Sequence, residues 1–437
     1  MVYRIRWWLG GLLAHIYARF LFESVETVGS VDVSGPRLIV ANHLSGLLDV
    51  IVVVRLLGGF PHILAKSTLF KPLPVGLTLR ALGIIPLYRR SDHVDTTKNA
   101  SSFRDVTRAL SKGRTVLIFP EGRVTDNQEL QTIRTGAARM ALSAISEGVV
   151  NLEIIPVGIT YENKIASRAR VLAEVGDQID EKDIASLADG DDLIETDHEL
   201  VDKVTDLVTV RLGAVSPEFG SFVRERTMML AASIVLRTSI TKVFAEPKIS
   251  ELRVVAQQLA HATDPGYEGQ LAATGRYQLA LTACGVNDNQ IQPRPSSTDL
   301  AKVVLRKGIV VLLLAPLALF GLVANLAAIL LVIIAGTIPK KPMTKGTARA
   351  ITGVIVFPVS WAIVIAATNP PLPWLTLGLI IMGLVVLIVG LNQLFDLIAA
   401  VSDWWSIHNS RALLPELTAL RDNSVDELSL ILGAPTT

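Results

Sequence analysis

From Pro36 to about Ile179, short apolar runs alternate with helically spaced ones, and this alternation sets the first expectations. "RLIVANH" predicts a strand, "SGLLDVIVVVRLLGG" a helix closed by glycines, and "HILAK", "LGIIPLYR" and "TVLIFPEG" three more strands. A helix over "LQTIRTGAARMALSAISEG" and strands over "LEIIPVGITY" and "RARVLAEVG" follow. Strands alternating with helices predict an α/β domain, a mostly parallel sheet flanked by helices. In such sheets ligands sit beyond the C-terminal strand ends, which is where "ANH", "YRR" and "FPEG" fall.

Other patterns divide the rest of the chain. Within residues 1–35, Leu9, Leu12, Leu13, Ile16 and Phe20 recur at helical spacing beside Trp7, Trp8 and Tyr17. That predicts an amphipathic helix at a membrane interface, and a core helix of the soluble part fits the pattern equally. Arg4 and Arg6 ahead of apolar residues resemble a signal peptide, but His15 and Arg19 interrupt the run, so it is read as uncleaved. The α/β domain is assigned to 36–217, a helical spacer to 218–300, a membrane region to 301–405 and a tail to 406–437.

The membrane region rests on two stretches without charge, between Lys307 and Lys340 and between Arg349 and Asp396. The first holds about 30 residues, roughly 45 Å as one helix, too long for one upright span and too short for two. Basic residues flank it at both ends (Lys302, Arg306, Lys307; Lys340, Lys341, Lys345, Arg349), and the positive-inside rule would put both clusters in the cytoplasm. A re-entrant hairpin over 308–338, bent near Pro316 or Asn325, is therefore favoured over a tilted span. Residues 350–395 predict a transmembrane hairpin turning at "TNPPLP", with that turn outside and the α/β domain on the cytoplasmic face. The chain predicted is thus an all-α membrane region behind a helical spacer and an α/β domain, in keeping with a 50% hydrophobic composition.

Charge adds little, since a net +1 gives no basic face for nucleic acid, which is not an expected partner. The single cysteine, Cys284, excludes an internal disulfide and a cysteine-rich metal site. No second histidine lies near His43 at ligand spacing, so no metal is assigned.

The candidate chemistry begins at "ANHLSGLLD". His43 ends an apolar strand and Asp49 follows six positions later; a carboxylate on one ring nitrogen fixes the tautomer and makes the other nitrogen a base. No serine or cysteine nucleophile is evident beside them, so the pair would act on a substrate hydroxyl. In "FPEG", the proline stops a strand, Gly122 lets backbone approach a ligand, and Glu121 at the rim could accept hydrogen bonds from substrate hydroxyls. "GIIPLYRR" ends in Arg89 and Arg90, whose guanidinium forks suit phosphate, and Arg134 could add a second phosphate contact from the start of its helix.

Taken in order, "NHLSGLLD", "GIIPLYRR", "FPEGRVTDN" with "LQTIRTGAARMAL", and "IIPVGITY" resemble the four sequence blocks of the glycerophospholipid acyltransferase family, the glycerol-3-phosphate and 1-acylglycerol-3-phosphate O-acyltransferases. The resemblance implies that His43 is the general base, that Asp49 orients it, and that Arg89, Glu121, Gly122 and Arg134 hold the acceptor. It implies that Pro156 and its neighbour Gly158 shape the acyl-donor side, with acyl-CoA or acyl carrier protein as the donor and no cofactor. It further implies membrane lipids as partners and glycerol-3-phosphate or lysophosphatidate as acceptor. The family's usual motif is HxxxxD, whereas five residues separate His43 from Asp49 here. That spacing resembles the fungal-type branch acting on glycerol-3-phosphate or dihydroxyacetone phosphate, as do "AKSTLF" and "IPLYRRSD". The alternatives are another lysophospholipid or lipid alcohol as acceptor, or a membrane scaffold or transporter with an acyltransferase-like domain. The uncharged apolar runs give transport little support.

Overall fold

The structure, a computed structural model, describes residues 2–89, 95–124, 130–162, 169–188, 196–219, 221–240, 246–263, 271–291, 296–338 and 342–433. The chain divides into two compact units, Met1–Glu225 and Arg226–Thr437.

The first unit is built on a seven-stranded sheet of order β1-β7-β6-β2-β5-β3-β4. Its strands are β1 (Val25–Val28), β2 (Arg37–Ala41), β3 (His62–Lys66), β4 (Ile85–Leu87), β5 (Thr115–Ile118), β6 (Glu153–Tyr161) and β7 (Val171–Val175). All pairings are parallel except β6 with β7, so the expected mostly parallel α/β architecture is what forms. β2 is buried at every position, with Leu38 and Val40 on one face and Ile39 and Ala41 on the other. The first face packs on α4 (Asn99–Leu110), α5 (Gly136–Ser146) and α7 (His198–Val215). The second packs on α1 (Val2–Leu21) and α2 (Leu47–Leu57). Two smaller helices, α3 (Leu73–Ala81) and α6 (Glu181–Ala185), complete this unit.

The first 35 residues are not a separate element. β1 extends the sheet beside β7, and Ala14 and Ala18 of α1 are buried in the core. Gly10 and Gly11 allow this, since a Cβ on Gly11 would stand 2.4 Å from the Gly58 carbonyl that ends α2. The opposite face of α1 is apolar and outward: Ile5, Trp8, Leu9, Leu12 and Leu13 are exposed, Trp8 at 64%. The core reading thus describes one face of α1, and the other is an exposed apolar face.

In the second unit, the expected spacer and tail fold together. α8 (Phe222–Arg237), α9 (Ile249–Ala262), α10 (Ala272–Cys284) and α11 (Asp288–Ile291) precede the long apolar helices, and α15 (Leu414–Leu432) follows them. Arg421 of α15, 1% exposed, donates from Nε to Asp288 Oδ1 at 2.9 Å, and Tyr277 donates to the same oxygen at 2.8 Å. Glu427 caps α10 by accepting the N–H groups of Ala273 and Thr274, each at 2.9 Å.

Between them run α12 (Ser297–Ala335), α13 (Pro342–Thr368) and α14 (Pro373–Asn409). α12 is one unbroken helix of 39 residues with Pro316 inside it, so the favoured hairpin bent at Pro316 or Asn325 does not form. Proline costs one helical hydrogen bond, too little to turn a helix that packs one side against α14 from Lys307 to Gly321. Asn325 stays helical and accepts the Trp361 indole N–H at 2.7 Å from α13. α14 runs antiparallel to α12: Gly321 lies backbone to backbone on Gly383, and Lys307 pairs with Asp396 at 2.8 Å. α13 also runs antiparallel to α12, since Asn325 meets Trp361 while Gly336 meets Arg349. α13 and α14 are therefore not the two arms of an antiparallel hairpin, as was expected of residues 350–395. Both pack on α12 instead.

Candidate active site

Three strand ends and the first turn of α2 build the site. β2 leaves the sheet at Ala41, and the next residue, Asn42, extends its pairing with β6 through a fully buried side chain. Its amide donates to the Ile159 carbonyl at 3.0 Å and accepts the Ile159 N–H at 2.7 Å. His43 follows in a turn that reaches α2 through Gly46, whose φ of 67° and ψ of −118° suit glycine alone. This turn takes up the long spacing, and Asp49 lands in the first turn of α2, where the helix N-terminus favours a carboxylate.

The predicted pair forms. His43 Nδ1 lies 2.9 Å from Asp49 Oδ2, which also accepts the Ser45 N–H at 2.7 Å. Asp49 is 0% exposed, and its other oxygen, Oδ1, accepts the Tyr161 hydroxyl at 2.7 Å. Phe119, at the end of β5, stacks on the imidazole with centroids 4.1 Å apart. A carboxylate can only accept, so Nδ1 carries the proton and Nε2 is left as the basic nitrogen.

Glu121 departs from its expected place at the rim. It is 1% exposed and its carboxylate is used inside the protein, Oε1 accepting the His43 N–H at 2.8 Å and Oε2 the Gln131 N–H at 3.3 Å. The physical reason is the turn at Gly122, whose φ of 68° folds the strand exit back so that the side chain before it points under the His43 loop. Burial pushes the Glu121 carboxyl up to about 7, with the nearby Asp49 charge adding to it and the two N–H groups opposing it.

Arg134 also differs from expectation. α5 begins at Gly136, so Arg134 lies in the irregular segment before it, exposed, with its Nε 3.3 Å from the Glu121 carbonyl that accepts from it. Its side chain lies across Gly122, where a Cβ would come within 3.0 Å of Nε. Arg89 follows β4 on the same sheet edge, and Asn99 holds the residue before it, accepting the Tyr88 N–H at 2.9 Å and donating to its carbonyl at 2.8 Å. Arg90 lies outside the described residues.

Pro156 and Gly158 are not brought to this group. Both lie on the face of β6 opposite that of Tyr161, where a Cβ on Gly158 would meet the Val215 carbonyl of α7 at 1.8 Å. Close helix packing accounts for that glycine. Among the described residues no set of three or more His, Cys, Asp or Glu side chains could hold a metal ion. Sequence reasoning passed over Asn42, Asn99, Phe119 and Tyr161 as contributors. All but Asn99 sit inside quoted motifs, but only their partners elsewhere in the fold reveal them.

Comparison with known proteins finds acyltransferases. The family model described as Acyltransferase matches residues 23–160. Glycerol-3-phosphate O-acyltransferase 2 of Saccharomyces cerevisiae is 24% identical over 202 residues, 46% of this chain and 26% of that protein. Lyso-ornithine lipid O-acyltransferase of Rhizobium meliloti is 29% identical over 168 residues, 36% of this chain and 51% of that protein. The solved 1-acyl-sn-glycerophosphate acyltransferase of Thermotoga maritima is 20% identical, with 47% of this chain and 78% of that one covered, at a TM-score of 0.34 too low to bear on the assignment. The chain spans between 13% and 52% of the length of the curated relatives it matches. Residues 23–160, which carry His43, Asp49 and Glu121 in this arrangement, are thus similar to an acyltransferase domain, and the curated relatives matched include glycerol-3-phosphate and 1-acylglycerol-3-phosphate acyltransferases.

Proposed function

We propose that the protein transfers a fatty acyl group from a thioester donor, acyl-CoA or acyl carrier protein, to a hydroxyl of glycerol-3-phosphate or 1-acylglycerol-3-phosphate at a membrane. The observation that carries this reading is the bond of His43 Nδ1 to the buried Asp49 at 2.9 Å, at a strand edge that also bears Arg89 and Arg134. With Nδ1–H held by Asp49, Nε2 takes the proton of the acceptor hydroxyl as its oxygen attacks the thioester carbonyl carbon. The tetrahedral intermediate collapses with loss of the C–S bond, and the imidazolium returns its proton to the leaving sulfur. The chemistry calls for no cofactor.

Sheet order supports a phosphorylated acceptor. β2 and β4 are separated by β5 and β3, so Arg89 starts about 14 Å from His43 by strand spacing. An arginine side chain extended back over β3 would span part of that distance and leave room for a glycerol phosphate between the two. The five-residue spacing between His43 and Asp49 favours glycerol-3-phosphate. The Rhizobium meliloti relative favours, as a second reading, a lysolipid with another headgroup.

For the membrane, α12 and α14 are the two crossings: they are long, apolar, antiparallel, and mostly uncovered by the rest of the protein. Because Arg421 beyond α14 bonds Asp288 ahead of α12, the two crossings begin and end at one end of the bundle. The outward face of α1, with Trp8 and Leu13, lies in the interface. We place the catalytic unit on the cytoplasmic side.

Purified full-length protein in lipid vesicles, given a labelled acyl thioester and either acceptor, tests the reaction. His43→Ala and Asp49→Asn are expected to lower transfer by about a hundredfold or more. Undiminished transfer by His43→Ala would remove the assigned base, and transfer to a neutral lysolipid alone would favour the second reading.

A further inference from the structure

Asp49 is fully enclosed and has three donors. Two are local, the imidazole of His43 and the N–H of Ser45, both on Oδ2. The third comes from 112 residues further along the chain, where the hydroxyl of Tyr161 reaches Oδ1 at 2.7 Å. Tyr161 is the last residue of β6 and 2% exposed, and the Ser45 side chain hydrogen-bonds its hydroxyl in turn. Its position is fixed by Asn42, which clamps both main-chain groups of Ile159 two residues earlier. The end of β6 therefore presents one phenol to one carboxylate oxygen, on the side away from the histidine.

A carboxylate oxygen facing apolar walls without a donor costs free energy, and the group responds by turning or by taking up a proton. Either response would disturb the bond to Nδ1. We propose that Tyr161 is a positioning residue for acyl transfer, acting through Asp49 to fix the tautomer and ring orientation of His43. The proposal rests on the reading of His43 as the base. A hydroxyl that donates to Oδ1 competes for the charge that Oδ2 offers the imidazole, so its loss leaves more of that charge to the ring. If Tyr161 only filled space beside Phe22, whose ring lies 6.3 Å away, phenylalanine would serve as well.

The test uses the full chain with Tyr161→Phe and two readouts. The first needs no substrate: the rate of carbethoxylation of His43 by diethyl pyrocarbonate against pH, followed by peptide mass spectrometry. Its midpoint should rise by about half a pH unit or more. The second is transfer itself, where kcat should fall about tenfold with both KM values unchanged, and with no further loss when the change is made in Asp49→Asn. Replacing Tyr161 by 3-fluorotyrosine, a stronger donor of nearly the same shape, should move the midpoint downward. An unmoved midpoint in Tyr161→Phe, or a loss that adds in full to that of Asp49→Asn, overturns the proposal. If the wild type transfers no acyl group, the functional reading fails, and the His43 midpoint still decides the role of Tyr161.

Discussion

The carboxylate of Glu121 accepts the main-chain N–H of His43 at 2.8 Å, so this acidic residue holds the histidine's backbone while Asp49 holds its ring. The two loops that carry the chemistry, after β2 and after β5, are tied together by that single side chain. Its second oxygen ties in a third segment at Gln131.

Stability should therefore depend on the ionisation of Glu121. Its folded value, raised to about 7 by burial, exceeds the ordinary 4.5, so the native state holds the proton more tightly than the unfolded chain. The contribution of Glu121 to the stability of the first unit is expected to be full below the ordinary carboxyl range and to fall by on the order of 3 kcal/mol as pH rises through about 7. Glu121→Gln should flatten that slope while keeping one acceptor for the His43 N–H. Thermal unfolding at stepped pH, wild type against variant, measures it, and parallel curves would refute it.

Gly46 should matter through its backbone alone. No atom lies within 4 Å of where its Cβ would stand, yet its φ of 67° and ψ of −118° are closed to other residues. Gly46→Ala is expected to cost about 1–3 kcal/mol and to lower kcat, because the strain falls on the turn between His43 and Asp49. Gly58, equally open but in the milder left-handed region at φ 61° and ψ 16°, provides the comparison. Gly58→Ala should cost about 1 kcal/mol and leave kcat near wild type. Denaturation midpoints and transfer assays on both variants decide it.

Asn99 should be read out in acceptor affinity. Its side chain makes two bonds to the Tyr88 main chain, just before Arg89, and Asn99→Ala frees that strand exit. We expect KM for the phosphorylated acceptor to rise by about fivefold to tenfold with KM for the acyl donor unchanged. Equal changes in both constants would mean that the clamp serves the fold rather than Arg89.

Arg421→Met should strip Asp288 of a buried partner and lower stability by about 3–5 kcal/mol, visible as a drop in the unfolding temperature of the detergent-solubilised chain. Replacing both, Arg421→Met with Asp288→Leu, should recover part of the loss, since no uncompensated charge then remains. Failure of the double variant to recover would assign the effect to packing.

The sheet was legible where strands are apolar throughout and end on a turn signal. "RLIVANH" and "HILAK" became β2 and β3 with little adjustment. β1 was not, because "VETV" is four residues long, half exposed, and gains its place only from β7. α4 was equally hidden, since Ser102 and Thr107 are among the residues it buries and its apolar stripe is thin. At the site, the His43 and Asp49 pair could be read because both residues lie in one local segment. Glu121 was visible as a residue but not in its direction, which the Gly122 turn decides. Tyr161 needed the β2 to β6 register to become visible at all, for nothing in a local pattern ties it to Asp49.

The bond between Arg421 and Asp288 also orders events in time. Asp288 emerges from the ribosome before the long apolar helices and Arg421 after them, so the small bundle stays incomplete until α12, α13 and α14 have been made. A chain halted anywhere before α15 would leave Asp288 without its Arg421 partner, α10 uncapped and the apolar surface that Leu417 and Leu428 cover exposed. The last helix thus acts as a seal that closes only once all three long apolar helices have been made.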